Sequence, residues 1–283
     1  MEWIERLNSA VNYIEERLDD KIEYERLANI ACCSSYHFRR MFGYMAGVTL
    51  SEYIRRRRMS RAAADIQRGG KVVDIALKYG YESPTAFNRA FRAVHGFAPS
   101  DAGRGGIILK SFPPISFKIT IKGVEEMNYR IEKKPAFRVV GVREAVSNDA
   151  GEGFETVPLF WQKSATQIPL LASMMDGEPR GLLGVSTCNE AENEQNYYYI
   201  VVASGAPVPE GMFDLMVPAE TWAIFSGRGA SGDIQALQQR IVSEWLPTSG
   251  YEWANAPDIE VYLNDDPVNM EFEVWLPVKK AEK

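Results

Sequence analysis

The chain has 283 residues, 46% hydrophobic, 25% charged and 11% aromatic, a globular composition whose length points to two domains. No apolar run approaches the ~20 residues of a membrane span. Met1–Asn12 mixes Glu2, Glu5 and Arg6 into an amphipathic pattern unlike a signal peptide, so a soluble, cytoplasmic protein without membrane contact is expected. Cys32, Cys33 and Cys188 are too few for a disulfide framework, and the adjacent pair lacks metal-ligand spacing. The only histidines, His37 and His95, lie in the first third, which excludes a His-dependent triad or a histidine-ligated metal from the rest. Residues 1–110 carry 18 Lys+Arg against 13 Asp+Glu, net +5, whereas residues 111–283 carry 14 against 25, net −11. A basic piece joined to an acidic one points to a polyanion partner for the first and a different partner for the second.

The first hundred residues read as helices. Trp3, Ile4, Leu7, Val11, Ile14 and Leu18 form one apolar stripe. A short helix follows at Tyr24–Ala31, and Ser34 caps another over Ser35–Met45 that ends at Gly47. Leu50–Gln67 stops at Gly69-Gly70 and Val72–Tyr79 at Gly80; Ser83 with Pro84 then opens a helix reaching Val94 and Gly96. Ser34, Phe38, Arg40, Phe42 and Gly47 recur as Ser83, Phe87, Arg89, Phe91 and Gly96, an internal repeat of short helix, turn and second helix. That is the construction of a helix-turn-helix, whose second helix offers a polar face to the major groove.

The run Leu27-Ala28…Ser34-Ser35-Tyr36-His37-Phe38-Arg39-Arg40-Met41-Phe42…Gly47 resembles the first helix-turn-helix of the AraC/XylS transcription regulators. Asp74-Ile75-Ala76…Tyr79-Gly80-Tyr81-Glu82-Ser83…Phe87-Asn88-Arg89-Ala90-Phe91…Gly96-Phe97-Ala98-Pro99-Ser100 resembles the second, that family's most specific signature. Ala102-Gly103-Arg104 departs from the family's usual Tyr-Arg pair after the proline. The resemblance implies double-stranded DNA as partner, leaves RNA polymerase open as another, and puts Tyr36, Arg39 and Arg40 of one helix and Thr85, Asn88 and Arg89 of the other toward bases. Arg suits guanine, Asn adenine and a Thr methyl the thymine methyl. Two reading helices ~34 Å apart would let one chain cover two half-sites. Phe38, Phe42, Phe87 and Phe91 read as core, and His37 as structural or a phosphate contact. The Arg55–Arg58 run spans about 300° of a helix, so it reads as a solvated face with one or two backbone contacts.

Gly103, Gly105, Gly106, Pro113 and Pro114 mark a flexible joint at 104–114, followed by a strand over Ile115–Lys122. From Met127 the apolar period becomes two. Strands are expected at Tyr129–Val142, broken by Pro135, then a helix at Phe154–Gln167 and strands at Arg180–Thr187 and Tyr197–Ser204. The order repeats with strands in Phe213–Gly227 broken at Pro218, a helix at Asp233–Trp245, and strands at Ile259–Asn264 and Glu271–Val278. The expected fold is therefore an all-α double helix-turn-helix domain at 1–104, a linker at 105–126, and an α+β domain of two tandem strand–helix–strand–strand units at 127–283, leaving a groove between the two helices.

Pro135-Ala136-Phe137-Arg138-Val139-Val140-Gly141, Tyr198-Tyr199-Ile200-Val201-Val202, Pro218-Ala219-Glu220-Thr221-Trp222-Ala223-Ile224-Phe225, Pro257-Asp258-Ile259-Glu260-Val261-Tyr262 and Val274-Trp275-Leu276-Pro277-Val278 resemble, in order and spacing, the GyrI-like effector-binding domain. The resemblance implies a small organic effector, no cofactor, and Glu260 as the pocket carboxylate. Trp161, Tyr198, Tyr199, Trp222 and Trp275 are the candidate aromatic walls beside it, a setting for a cationic or aromatic ligand. Core packing is the alternative reading of each ring. Glu273 alternates with apolar Phe272 and Val274 and reads as outward-facing and structural. Some GyrI-like proteins resemble hydrolases that use a pocket glutamate, and a protein-interaction module is a third reading. Cys188 has no histidine in its domain to activate it, and fusion to a DNA-binding domain favours sensing over turnover.

Overall fold

The computed structural model describes residues 3–104, 106–118, 126–146, 150–187, 196–266 and 268–281, with no account of the side chains of 150–155. Cys188 lies outside the described residues. The chain forms two compact units: residues 1–32 with 48–118, and residues 33–47 with 119–283.

The helices start and stop where local chemistry dictates. α1 (Trp3–Glu16) buries Leu7, Val11 and Ile14 along the expected stripe. α2 (Tyr24–Ala31) ends at Cys32, which takes a left-handed φ of 54°, uncommon for a residue with a Cβ. α3 (Ser35–Ala46) is capped by Ser34, whose Oγ accepts from the His37 N–H at 3.2 Å, and stops at Gly47 with φ 67°. α4 (Leu50–Gln67) opens on Thr49, α5 (Val72–Lys78) follows, and α6 (Pro84–His95) opens on Ser83 with Pro84 in its first turn.

In the first unit, Met59 and Ile66 of α4 pack with Ile75 of α5 and Phe87 and Phe91 of α6. Residues 106–118, expected as a joint leading into a strand, instead run as irregular extended chain fastened to α1 and α4. Asn8 brackets Phe117, its side chain bonding both the carbonyl (2.9 Å) and the N–H (2.8 Å). Phe112 N–H donates to Ser60 Oγ (3.0 Å) and Ile115 N–H to Tyr53 Oη (3.2 Å). Side chains thus take the backbone partners that a strand neighbour would have supplied. The rest of the expected strand, 119–122, lies outside the described residues.

Arg57 and Arg58 of the arginine run form a structural brace, while Arg55 stays exposed. Arg57 is buried and pairs with Glu15 through Nε (2.8 Å) and Nη2 (2.6 Å), while Nη1 donates to the Phe112 carbonyl. Arg58 donates to the carbonyls of Leu18 (2.8 Å) and Asp20 (2.9 Å), and Arg55 and Arg56 pair with Glu52. Four consecutive helical residues point in four directions, and here two of them meet the end of α1 and the turn beyond it.

Among the described residues, the second unit holds α3, nine strands and three further α-helices. β1 (Tyr129–Lys134) and β2 (Phe137–Val146) are separated at Pro135-Ala136; α7 (Ala150–Ser164), a 3₁₀ turn and α8 (Ile168–Met174) lead to β3 (Leu182–Ser186) and β4 (Asn196–Ala203). β5 (Phe213–Val217) and β6 (Glu220–Gly229) repeat the break at Pro218-Ala219, followed by α9 (Ser231–Arg240) with a π turn to Trp245, then β7 (Tyr251–Trp253), β8 (Asp258–Tyr262) and β9 (Met270–Lys280). The main order is β1-β6-β9-β8-β3-β4-β2-β5, all described pairings being antiparallel, with β7 on β9. Each proline break redirects the chain, so β1 pairs with β6 of the second repeat and β5 with β2 of the first. The two repeats meet at β3–β8, where Glu260 lies opposite Gly184. α8 and β7 are the elements that sequence periodicity missed, being seven and three residues long.

Candidate functional site

Strand alternation sorts the candidate aromatics onto opposite faces. Tyr198 of β4 shares a core with Phe160 and Leu171 from the helices above. Tyr199, one residue on, joins Trp222, Trp275, Ile224 and Ile259 in a cluster on the other face. Trp222 is fully buried there, and its indole ring lies 5.9 Å from that of Trp275. Tyr199, Trp222 and Trp275 are therefore placed in core packing, away from the groove, whereas Trp161, Tyr198 and Glu260 come together within it. Glu273 is not free in solvent: it accepts from Arg130 Nη1 and from Trp275 Nε1, each at 2.8 Å.

The groove is a cavity of about 600 Å³ lined in part by Glu260. Glu260 Oε2 accepts from the hydroxyls of Tyr198 and Tyr262, each at 2.8 Å, and Oε1 accepts from Gln238 Nε2 at 2.6 Å. Trp161 Nε1 donates to the Tyr198 hydroxyl (3.1 Å), and its ring stands edge-on to Tyr262 at 4.8 Å. Burial pushes both phenols well above the usual tyrosine range, and the Glu260 charge adds to it, so they stay protonated donors. Gly184 makes this convergence possible. A Cβ there would lie 2.1 Å from the Tyr198 hydroxyl and 2.9 Å from Glu260 Oε2. The pairing of β3 with both β4 and β8 aims Tyr198 and Glu260 across the glycine, which is the only residue leaving that space empty.

Three residues of α3 line the same cavity: Tyr36, Arg40 and Tyr44. Arg40 pairs with Asp258 at 2.8 Å, both side chains being mostly buried (14% and 8% exposed). It also donates to the Tyr36 hydroxyl (3.0 Å) and the Tyr44 hydroxyl (2.9 Å). Burial pushes the Asp258 carboxyl up to about 6, opposed by Arg40 and by Trp253 Nε1 at 3.0 Å, so the pair is charged at neutral pH. His37 is buried, stacks on Trp253 with ring centroids 4.6 Å apart, and is driven down to about 3 by burial and by Arg40. It is a neutral packing residue. Arg39 on the same helix is half-buried.

In the other unit, α6 turns Phe87, Phe91 and Val94 inward and leaves Thr85 and Arg89 exposed, with Asn88 half-buried between them. Those three share one face by their spacing. Among the described residues, no cluster of His, Cys, Asp and Glu could hold a metal ion, and no helix is long and apolar enough to cross a membrane.

Residues 127–279, more than half of the chain, match the GyrI-like small molecule binding domain, and residues 27–104 match a helix-turn-helix domain. The chain belongs to the GyrI-like family and carries an AraC-type helix-turn-helix. It is similar over 95% of its length to the right origin-binding protein of Escherichia coli K12, at 23% identity and 96% coverage of that protein. The transcriptional activator AarP of Providencia stuartii is 35% identical over 109 residues, 36% of this chain and 81% of AarP. The HTH-type regulator YbfP of Bacillus subtilis is 34% identical over 100 residues, and the match spans only 34% of YbfP. Among solved structures, SAV2435 bound to tetraphenylphosphonium is similar over 54% of this chain and 94% of its own, at 20% identity and a TM-score of 0.49. The GyrI-like chain is thus a DNA-binding, AraC-type transcription regulator. Sequence reasoning alone missed Gln238, Tyr262 and Gly184 around Glu260; the alternation that places Glu260 also places Tyr262 on the same face, a signal that was available.

Proposed function

We propose that this regulator senses a small organic cation in the Glu260 cavity and reads DNA with Tyr36, Arg39 and Arg40 of α3 and Thr85, Asn88 and Arg89 of α6. The supporting observation is Glu260 itself: a carboxylate lining a cavity of about 600 Å³, held in place by three donors and flanked by the rings of Trp161, Tyr198 and Tyr262. Three fixed donors hold its orientation, and a carboxylate so held in a cavity suits a cationic ligand. Aromatic faces add cation–π attraction of about 0.5–2 kcal/mol each. Asp265 and Asp266 at the lining add negative charge, while the cavity's Arg40 is already matched by Asp258. The volume suits a drug-sized ligand. Calorimetric titration of the full chain with lipophilic cations, neutral aromatics and organic anions tests this. Saturable binding confined to the cations, and lost in Glu260→Gln, is the expected result; equal binding by the mutant would remove the carboxylate from the reading.

A further inference from the structure

The face of α3 expected to read bases is also a wall of the cavity. Tyr36, Arg40 and Tyr44 recur every fourth residue and so form one stripe along the helix. In this structure the stripe is occupied. Arg40 is held by Asp258, and His37 beside it by Trp253. Arg40 donates to Tyr44, the Tyr44 hydroxyl donates to Gln238 Oε1 at 3.0 Å, and Gln238 Nε2 donates to Glu260. Three hydrogen bonds thus join the arginine expected on a base to the carboxylate expected on a ligand.

We propose that α3 is half of the ligand site: Tyr36 and Tyr44 contact the ligand, and the ligand-bound protein keeps α3 on β7 and β8 and off the major groove, so that ligand and operator oppose each other. The inference rests on the reading that the Glu260 cavity takes an organic cation. Its physical basis is that the cavity exists with α3 in place. A ligand filling it meets the two tyrosine rings only in this arrangement, and Arg40 cannot serve Asp258 and a guanine together. A ligand shifts an equilibrium only by its differential affinity for the two states, and the rings supply that difference. The coupling is reciprocal, so operator DNA must weaken the ligand by the factor by which the ligand weakens DNA.

The test uses the full chain, a duplex enriched by it from a random pool, and tetraphenylphosphonium, a rigid cation with no hydrogen-bond donors. Affinities are read by tryptophan fluorescence for the cation and anisotropy for the duplex, with hydrogen exchange of residues 35–46 alongside. Expected are a mutual weakening of roughly fivefold or more, weaker cation binding in Tyr36→Ala and Tyr44→Ala without DNA, and greater exchange protection of α3 when the cation is bound. Asp258→Asn, which keeps the shape and removes the charge, should raise duplex affinity and lower that protection. If Glu260→Gln abolishes cation binding while the duplex, Tyr36→Ala and Tyr44→Ala leave it unchanged, this inference fails and the sensor reading stands. Tighter duplex binding in the presence of the cation also overturns it. No cation binding by the wild type removes both.

Discussion

Gly184→Ala is the sharpest perturbation of the Glu260 site, because one methyl group is aimed at its centre. The new Cβ would sit 2.1 Å from the Tyr198 hydroxyl where ordinary contact begins at 3.4 Å, so the ring end must withdraw by about 1.3 Å. Withdrawal breaks the 2.8 Å bond to Glu260 and the 3.1 Å bond from Trp161. Overpacking costs about 1–3 kcal/mol and a hydrogen bond to a charged group about 1.5–3, giving a loss of roughly 2.5–6 kcal/mol. Because the chain has two units, the loss should appear in the unfolding transition of the second, where five of the six tryptophans lie. Urea denaturation followed by tryptophan fluorescence measures it. The decisive control is Tyr198→Phe, which deletes the clashing oxygen. In the double mutant the two losses should fall short of additivity by at least about 1 kcal/mol. Strict additivity, or a Gly184→Ala protein as stable as wild type, would refute the argument that the glycine exists to let Tyr198 reach Glu260.

Three further outcomes follow from the first unit. Arg57→Met leaves Glu15 with only Tyr53 and the more distant Arg61 and frees the Phe112 carbonyl, and should cost about 2–4 kcal/mol in chemical denaturation, toward the lower side of losses from broken buried pairs. Glu15 is held below its ordinary 4.5: burial pushes upward, but the hydrogen bonds from Arg57 and Tyr53 and the charges of Arg57 and Arg61 prevail. Its contribution is therefore complete above pH 4.5 and lost as pH falls through the depressed value, so Glu15→Gln should flatten the acid limb of a stability–pH profile. Arg89→Ala should cost about 1–3 kcal/mol of specific DNA affinity in an anisotropy titration while leaving the melting temperature unchanged, since its side chain is exposed.

Much of the architecture was legible because it depends on near neighbours. Ser34, Gly47, Ser83 and Gly96 bound α3 and α6 through hydrogen bonds and φ values local to each terminus, and period-two alternation announced the strands of the second unit. Glu260 was placed on a strand, and Phe87 and Phe91 in a core, for the same reason, whereas the inward aim of Glu260 was implied only by the family resemblance. The run Arg55–Arg58 shows where local reading stops. Its charge was visible, but Arg57 and Arg58 find their partners in Glu15 and the carbonyls of Leu18, Asp20 and Phe112, 38 to 55 residues away.

The aromatic candidates divide on the same principle. Composition and motif order could say that Trp161, Tyr198, Tyr199, Trp222 and Trp275 lie in the effector domain, but not which side of the sheet each faces. The pairing of β3 with β8 decided that, gathering Tyr198, Trp161, Tyr262 and Gln238 onto Glu260 and committing Tyr199, Trp222 and Trp275 to the opposite core. Placement of α3 was likewise beyond sequence. Its cap, periodicity and DNA-type residues are one-dimensional facts, whereas the Arg40–Asp258 pair joins residues 218 positions apart, and only tertiary packing can supply the buried surroundings that hold it. Sequence by itself determined the helices, the strands and the chemistry each could offer. The tertiary structure determined which of those chemistries face one another.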